Sequence, residues 1–202
     1  MSASKTSQRI ERKQTPPAYY VAHRNYWKFL VLDFAGRCGY SDQHMTRAGG
    51  KGGMDVDHHN PLLKPPHRNN YTNLLLSTRH CNGKKGKRWP TPEQKKLGLR
   101  FLNPCEEQDY GTHIFEDPTT FELWGETPAG CYHTRYLDLN AVHLMRERRR
   151  RHELRVLKKT PCLVTPKKLD GEVRAGLAAF NEELELMIRP IPQKTKPPLT
   201  LN

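Results

Sequence analysis

Long apolar runs are what this chain most lacks. No stretch approaches the roughly 20 residues a membrane-spanning helix needs. Hydrophobic residues make up 35% of the 202, and mean hydropathy is −0.85. A modest core with polar tails and long loops is the expectation. Cysteine is scarce: five residues, an odd number at scattered spacing, which argues against a disulfide framework. The opening "MSASKTSQRIERKQTPP" has no apolar stretch of the secretory kind. A cytoplasmic location, where thiols stay reduced, is therefore expected. Acidic residues are outnumbered, 21 Asp and Glu against 34 Lys and Arg, for a net charge of +13. Solubility usually takes a charge of only about 2–8. The surplus points to nucleic acid, since phosphates neutralised by Lys and Arg release their counterions.

Residues 1–18 read as a basic, flexible N-terminus and 190–202 as an extended Pro- and Lys-rich tail, with a single domain over 19–189 between them. Within it, Tyr26, Trp27, Leu30, Val31 and Phe34 recur at helical spacing, as a core-facing stripe does, and Gly36 supplies a stop. The Gly-rich "RAGGKGG" lacks the strand-to-helix context of a phosphate loop and reads as a linker. Residues 54–58 and "NLLLST" read as strands, and "HCNGKKGKR" as the opening of a short helix. "GTHIFED" and "TFELWGE" alternate around a Pro-Thr turn, the pattern of a hairpin. "LDLNAVHLMRERRRRHELRVL" reads as a helix with Asp138 or Asn140 as N-cap. Leu169, Val173, Leu177, Phe180, Leu184 and Met187 mark a last amphipathic helix. There is no internal repeat.

The segment "MDVDHHNPLLK" (54–64) carries the chemistry. Asp57 offers a hard oxygen donor, and so does Asn82 further on, as Mg²⁺ or Mn²⁺ prefers. His58 can take a proton from water near neutral pH. Consecutive strand residues point to opposite faces, so Asp57 and His58 serve one site only if the strand ends there and the backbone turns. Asn60-Pro61 is placed to turn it. Taken singly, Asp57 also reads as a turn cap and His58 as a surface histidine.

"DVDHHNPLL" followed by "NNYTNLLLSTRHCNGKKGK" resembles the HNH nuclease motif, the ββα-metal fold, over roughly 54–88. The resemblance implies an α+β fold, with the ββα-metal (HNH) unit embedded in a mostly helical domain and an accessory hairpin and helices over 105–189. It implies a metal-dependent endonuclease, with His58 as general base and Asp57 and Asn82 holding one divalent metal, Mg²⁺ or Mn²⁺. Asn73 would brace the loop and so orient His58. The products would carry a 5′-phosphate and a 3′-hydroxyl, and double-stranded DNA is the favoured substrate. His59 stands where the family usually has an apolar residue and reads as structural, as do Asp55, His67 and His80.

Many HNH proteins brace the motif with zinc held by two Cys-x-x-Cys knuckles. Here the knuckles read "CGYS" and "TRHC", leaving Cys38 and Cys81, with Ser41 and Thr78 in the partner positions. Two thiolates do not make a closed tetrahedral zinc site, so structural zinc is not expected, and a buried cysteine pair is. His44 or His80 could complete a mixed site. Lys84, Lys85, Lys87 and Arg88 either touch the phosphate backbone or form a solvated helix face. Arg148, Arg149, Arg150 and Arg151 in "RERRRRHELR" read either as a DNA or RNA contact or as an exposed face or a contact with an acidic partner. The flanks, "IERKQTPPAYY" through "YWKFLVLDFAGRCGYS" and "FLNPCEEQDYGTHIFED" through "LMRERRRR", are similar to the HNH subunit of Septu-type antiphage defence (PtuB-like) and its retron-associated relatives. That similarity implies a bacterial nuclease partnered by an SMC/ABC-like ATPase.

Overall fold

Tyr26, Leu30 and Phe34 turn one apolar stripe inward, on a 3-10 turn (His23–Tyr26) that runs into helix α1 (Trp27–Asp33). Gly36, at φ 67°, lets its N–H bond back to the Val31 carbonyl (2.8 Å) and ends the helix where the sequence indicates. The structure, a computed structural model, describes residues 9–16, 19–159 and 191–197. The expected helix through Leu169 and Met187 lies outside them.

Strands β1 (Met54–His58) and β2 (Leu74–Thr78) pair antiparallel, with Asp55 opposite Ser77 and Asp57 opposite Leu75. The "LLL" of β2 does not alternate in polarity because α1 packs against it and α2 (Arg79–Lys85) folds back over both strands; all three leucines are buried. Thr78 starts α2 by accepting from the Cys81 N–H, and Gly86 at φ 53° closes it. A short helix α3 (Pro92–Lys96) follows, with a Thr91/Gln94 capping box.

The second unit is the expected hairpin, β3 (Ile114–Glu116) with β4 (Leu123–Gly125), Ile114 opposite Gly125. Helix α4 (Pro128–Tyr136) packs directly on it. Gly125 permits that approach: a Cβ there would stand 2.0 Å from the Cys131 nitrogen. Helix α5 (Val142–Lys159) completes an α+β architecture. Neither expected N-cap is used as one here. Asn140 spends its amide on Leu123 and Arg148, and Asp138 pairs with Lys84 (2.8 Å). Among the described residues no helix is long and apolar enough to cross a membrane.

Two expectations about the ends change. Residues 9–16 are pinned: Ile10 N–H bonds Pro104 O (2.7 Å), and the Arg12 guanidinium lies over Tyr71 (4.9 Å) and reaches Leu74 O (2.6 Å). Within the tail, 191–197 is extended as expected but docked along β3, Glu116 bonding both Pro192 and Lys194 through its backbone. An isolated arginine stem and a few carbonyls suffice to fasten segments that composition marks as polar.

Candidate functional site

Alternation along β1 sends Asp55 and Asp57 to one face and Val56 and His58 to the other. Helix α2 covers the carboxylate face, and two of its side chains, one turn apart, meet the two acids in order. Asn82 Nδ2 donates to Asp55 Oδ2 (3.1 Å), and Lys85 Nζ reaches Asp57 Oδ2 (3.0 Å) and Oδ1 (3.3 Å). Lys85 is 0% exposed and also donates to the His58 carbonyl (2.6 Å). Tyr40 OH donates to Asp57 Oδ2 at 2.5 Å. Burial pushes the Asp57 carboxyl up, against the pull of Lys85 and Tyr40. Burial likewise pushes the Lys85 ammonium down, against Asp57. One expectation is thereby corrected: Lys85 is not a phosphate contact, because it is the fully buried internal counter-ion of Asp57. Asp57 has both oxygens engaged, by Lys85 and by Tyr40.

His58 is the last residue of β1 and is still paired with Leu74, which sets its side chain on the opposite face; the chain bends over residues 59–60 and turns at 61–62 directly after it. His58 Nε2 lies 2.8 Å from Asn69 Oδ1, and the Asn69 amide is oriented by donating to Val21 O (2.6 Å). The Asn69 oxygen therefore accepts, which puts the imidazole proton on Nε2 and leaves the lone pair on Nδ1. Burial lowers the His58 pKa, with the Asn69 hydrogen bond opposing. The ring is thus neutral at pH 7 and able to accept a proton.

The other side chains here escaped the sequence reading. The His23 ring is 4.5 Å from that of His58, and its pKa is lowered by burial and then by His58. Arg24 and Arg68 act electrostatically on His23, Arg68 also on His58, and Asp55 acts on His23 in the opposite sense. These residues come from segments far apart in sequence, and no spacing rule links them. Asn73 does brace the loop: Oδ1 accepts from Asn60 N (2.9 Å), and Nδ2 donates to Asn60 O (3.2 Å) and Arg68 O (2.8 Å). That loop is the one that delivers Asn69 to His58.

Among the described residues no group of three or more His, Cys, Asp or Glu is arranged to hold a metal. Two oxygen-bearing side chains nevertheless stand together, Asp55 and Asn82, with Arg79 3.8 Å from the carboxylate. An amide turns its oxygen or its nitrogen to suit its neighbour. Mg²⁺ ordinarily takes one or two protein oxygens and completes its shell with water and phosphate. Asp55 and Asn82 fit that pattern, whereas Asp57 in its present bonding does not.

The knuckle positions do converge. Cys38 Sγ lies 3.4 Å from Ser41 N, 3.8 Å from Thr78 Oγ1 and 3.9 Å from Ser77 Oγ, and Cys38 and Cys81 are both buried. Burial pushes the Cys38 thiol up, but hydrogen bonds with Cys81, Ser41 and Thr78 outweigh it and hold it at about 5. His44 and His80 bond elsewhere, to Thr46 (2.8 Å) and to the Asp138 carbonyl (3.1 Å).

The arginine run splits by helix face. Leu144, Arg148 and Arg151 share the inward stripe of α5, and the two arginines are 1% and 4% exposed. Arg148 bonds Phe121 O (2.7 Å), Leu139 O (2.9 Å) and Asn140 Oδ1 (3.1 Å); Arg151 pairs with Asp42 (3.2 Å). Both are corrected from nucleic-acid contacts to structural cations. Arg149 and Arg150 face solvent, as do Lys84, Lys87 and Arg88. No family model, curated protein or solved structure matches the chain.

Proposed function

We propose that this chain is a metal-dependent HNH-type endonuclease that hydrolyses phosphodiester bonds of nucleic acid, with DNA favoured. The observation that carries the reading is the Asn69-oriented His58 at the end of β1 in a strand–strand–helix unit, with Arg68 acting on it and Arg24 on the neighbouring His23. In this reading Arg24 and Arg68 draw a backbone phosphate to the site and offset its charge. His58 accepts through Nδ1 the proton of the attacking water, while Nε2 stays bonded to Asn69 and keeps the ring in place. His23, against His58, limits the ring's freedom and narrows the approach for water. Asp55, whose charge acts on His23 beside His58, and Asn82 would hold Mg²⁺ or Mn²⁺, which would supply stabilisation of the charge that builds on the phosphate. By the similarity of its flanks, the chain would serve a bacterial antiphage defence system beside an SMC/ABC-like ATPase. A standalone restriction-like or mobile-element nuclease would share the same chemistry.

A different reading, a non-catalytic DNA-binding protein with a relic motif, is favoured by the engagement of Asp57 with Lys85 and Tyr40. Supercoiled plasmid incubated with the protein in Mg²⁺ or Mn²⁺, with EDTA, His58→Ala and Asp55→Ala as controls, separates the two. Metal-dependent loss of supercoils is expected, reduced about 10²–10⁴-fold in His58→Ala and abolished by EDTA. Plasmid that stays intact yet bound, even with the co-purified ATPase present, would establish the relic.

A further inference from the structure

His59 follows the proposed base, and strand alternation turns it to the other side of the sheet, toward a cavity of about 410 Å³. Trp89 and Phe101 give this cavity an aromatic wall, their rings 6.2 Å apart, and His59 meets Trp89 edge-on at 5.3 Å. The Lys95 ammonium stands 5.7 Å from the Trp89 ring at the exposed rim. Arg100 also lines the space, but Glu107 neutralises it through a two-pronged ion pair. The buried His59 leaves Nδ1 without a hydrogen-bond partner among the described residues.

A partly buried indole with a cation beside it offers a stacking platform. The unpartnered ring nitrogen of His59 and the carboxamide of Asn103 suit the edge of a heterocycle. The volume falls near the lower end of the roughly 300–1,000 Å³ usual for small-ligand sites, and the one cation without a carboxylate partner among these residues lies at the rim. We infer that this cavity binds a nucleobase, with Lys95 meeting the attached phosphate. The base belongs either to a free mononucleotide or to an unstacked residue of a bound strand. Only the second source rests on the nuclease reading. Asn73 forms part of the same wall and braces the loop that orients His58, so an occupied pocket would stiffen the catalytic side as well.

The test is calorimetric titration of the full chain in EDTA, where cleavage cannot contribute. The probes are AMP, GMP, CMP and UMP, and a short single-stranded oligodeoxynucleotide of mixed sequence. At least one mononucleotide should bind saturably with Kd below about 1 mM. Trp89→Leu and His59→Leu should weaken it about tenfold, the scale of one lost base stack. Lys95→Ala, a surface change that leaves the fold intact, should weaken the nucleotide about threefold and the matching nucleoside not at all. Binding confined to the oligonucleotide, and weakened by the same variants, assigns the pocket to a strand base. Absence of binding by every probe, or binding indifferent to all three variants, overturns the inference. Failure of the plasmid assay leaves the mononucleotide arm untouched.

Discussion

On the α2 side of β1, Asp57 sits in a dry enclosure where an ammonium and a phenol answer both of its oxygens. On the other side, one residue later, His58 has one nitrogen fixed by Asn69 and the other left with its lone pair. The two faces are built from adjacent residues of one strand, yet they do opposite work. Where every polar atom has a partner, a charge holds elements together. Where one valence is left open and cations gather nearby, chemistry becomes available. The same division runs along α5, where Arg148 and Arg151 bind carbonyls and a carboxylate inside the molecule and Arg149 and Arg150 face water.

The sharpest way to break the comparison is to remove one member of the enclosed pair. Lys85→Met should destabilise the fold by about 3–5 kcal/mol, because it strands a buried carboxylate. Replacing Asp57 with Leu and Tyr40 with Phe in the same chain should recover most of that, because an apolar set leaves no orphaned charge. Urea unfolding of the two variants measures the difference. On α5, Arg148→Ala should cost about 2–3 kcal/mol by leaving the Phe121 and Leu139 carbonyls unpaired, whereas Arg149→Ala should stay within about 0.5 kcal/mol. Equal losses at 148 and 149 would erase the distinction between the helix faces. The smallest effect concerns pH. In the proposed reading His58 acts when neutral, and burial lowers its pKa, so the acid limb of any cleavage should fall below the ordinary histidine value of 6.5. The Asn69 hydrogen bond works against that shift, so Asn69→Ala should move the limb further toward acid while slowing the reaction at its plateau. A limb above 6.5 would mean that a different group accepts the proton.

Much of the fold was legible because its signals are local. The stripe of Tyr26, Leu30 and Phe34, the punctuation by Gly36 and Gly86, and the alternation on either side of Pro118-Thr119 each depend on neighbours a few residues away. The strand–strand–helix order around Asp57, His58 and Asn82 was legible for the same reason. The partner of each charge was not. Lys85 lies one helical turn past Asn82 and reads as one cation in a basic run, yet the strand it covers carries two acids two residues apart. Only the packed geometry decides that Asn82 meets Asp55 and Lys85 meets Asp57. Likewise His23 and Asn69 reach His58 through tertiary folding, which leaves no spacing in the sequence to find.

The tail along β3 has a consequence for handling the protein. Glu116 gives its N–H to Pro192 and its carbonyl to Lys194, and the Trp124 indole donates to the Lys194 carbonyl (3.0 Å). Residues 191–197 therefore act as a cover for the open rim of a two-stranded sheet. A chain cut before residue 191 would bare that rim together with Phe115 and Trp124, and exposed strand rims recruit other chains. Loss of twelve polar-looking residues would then surface as self-association.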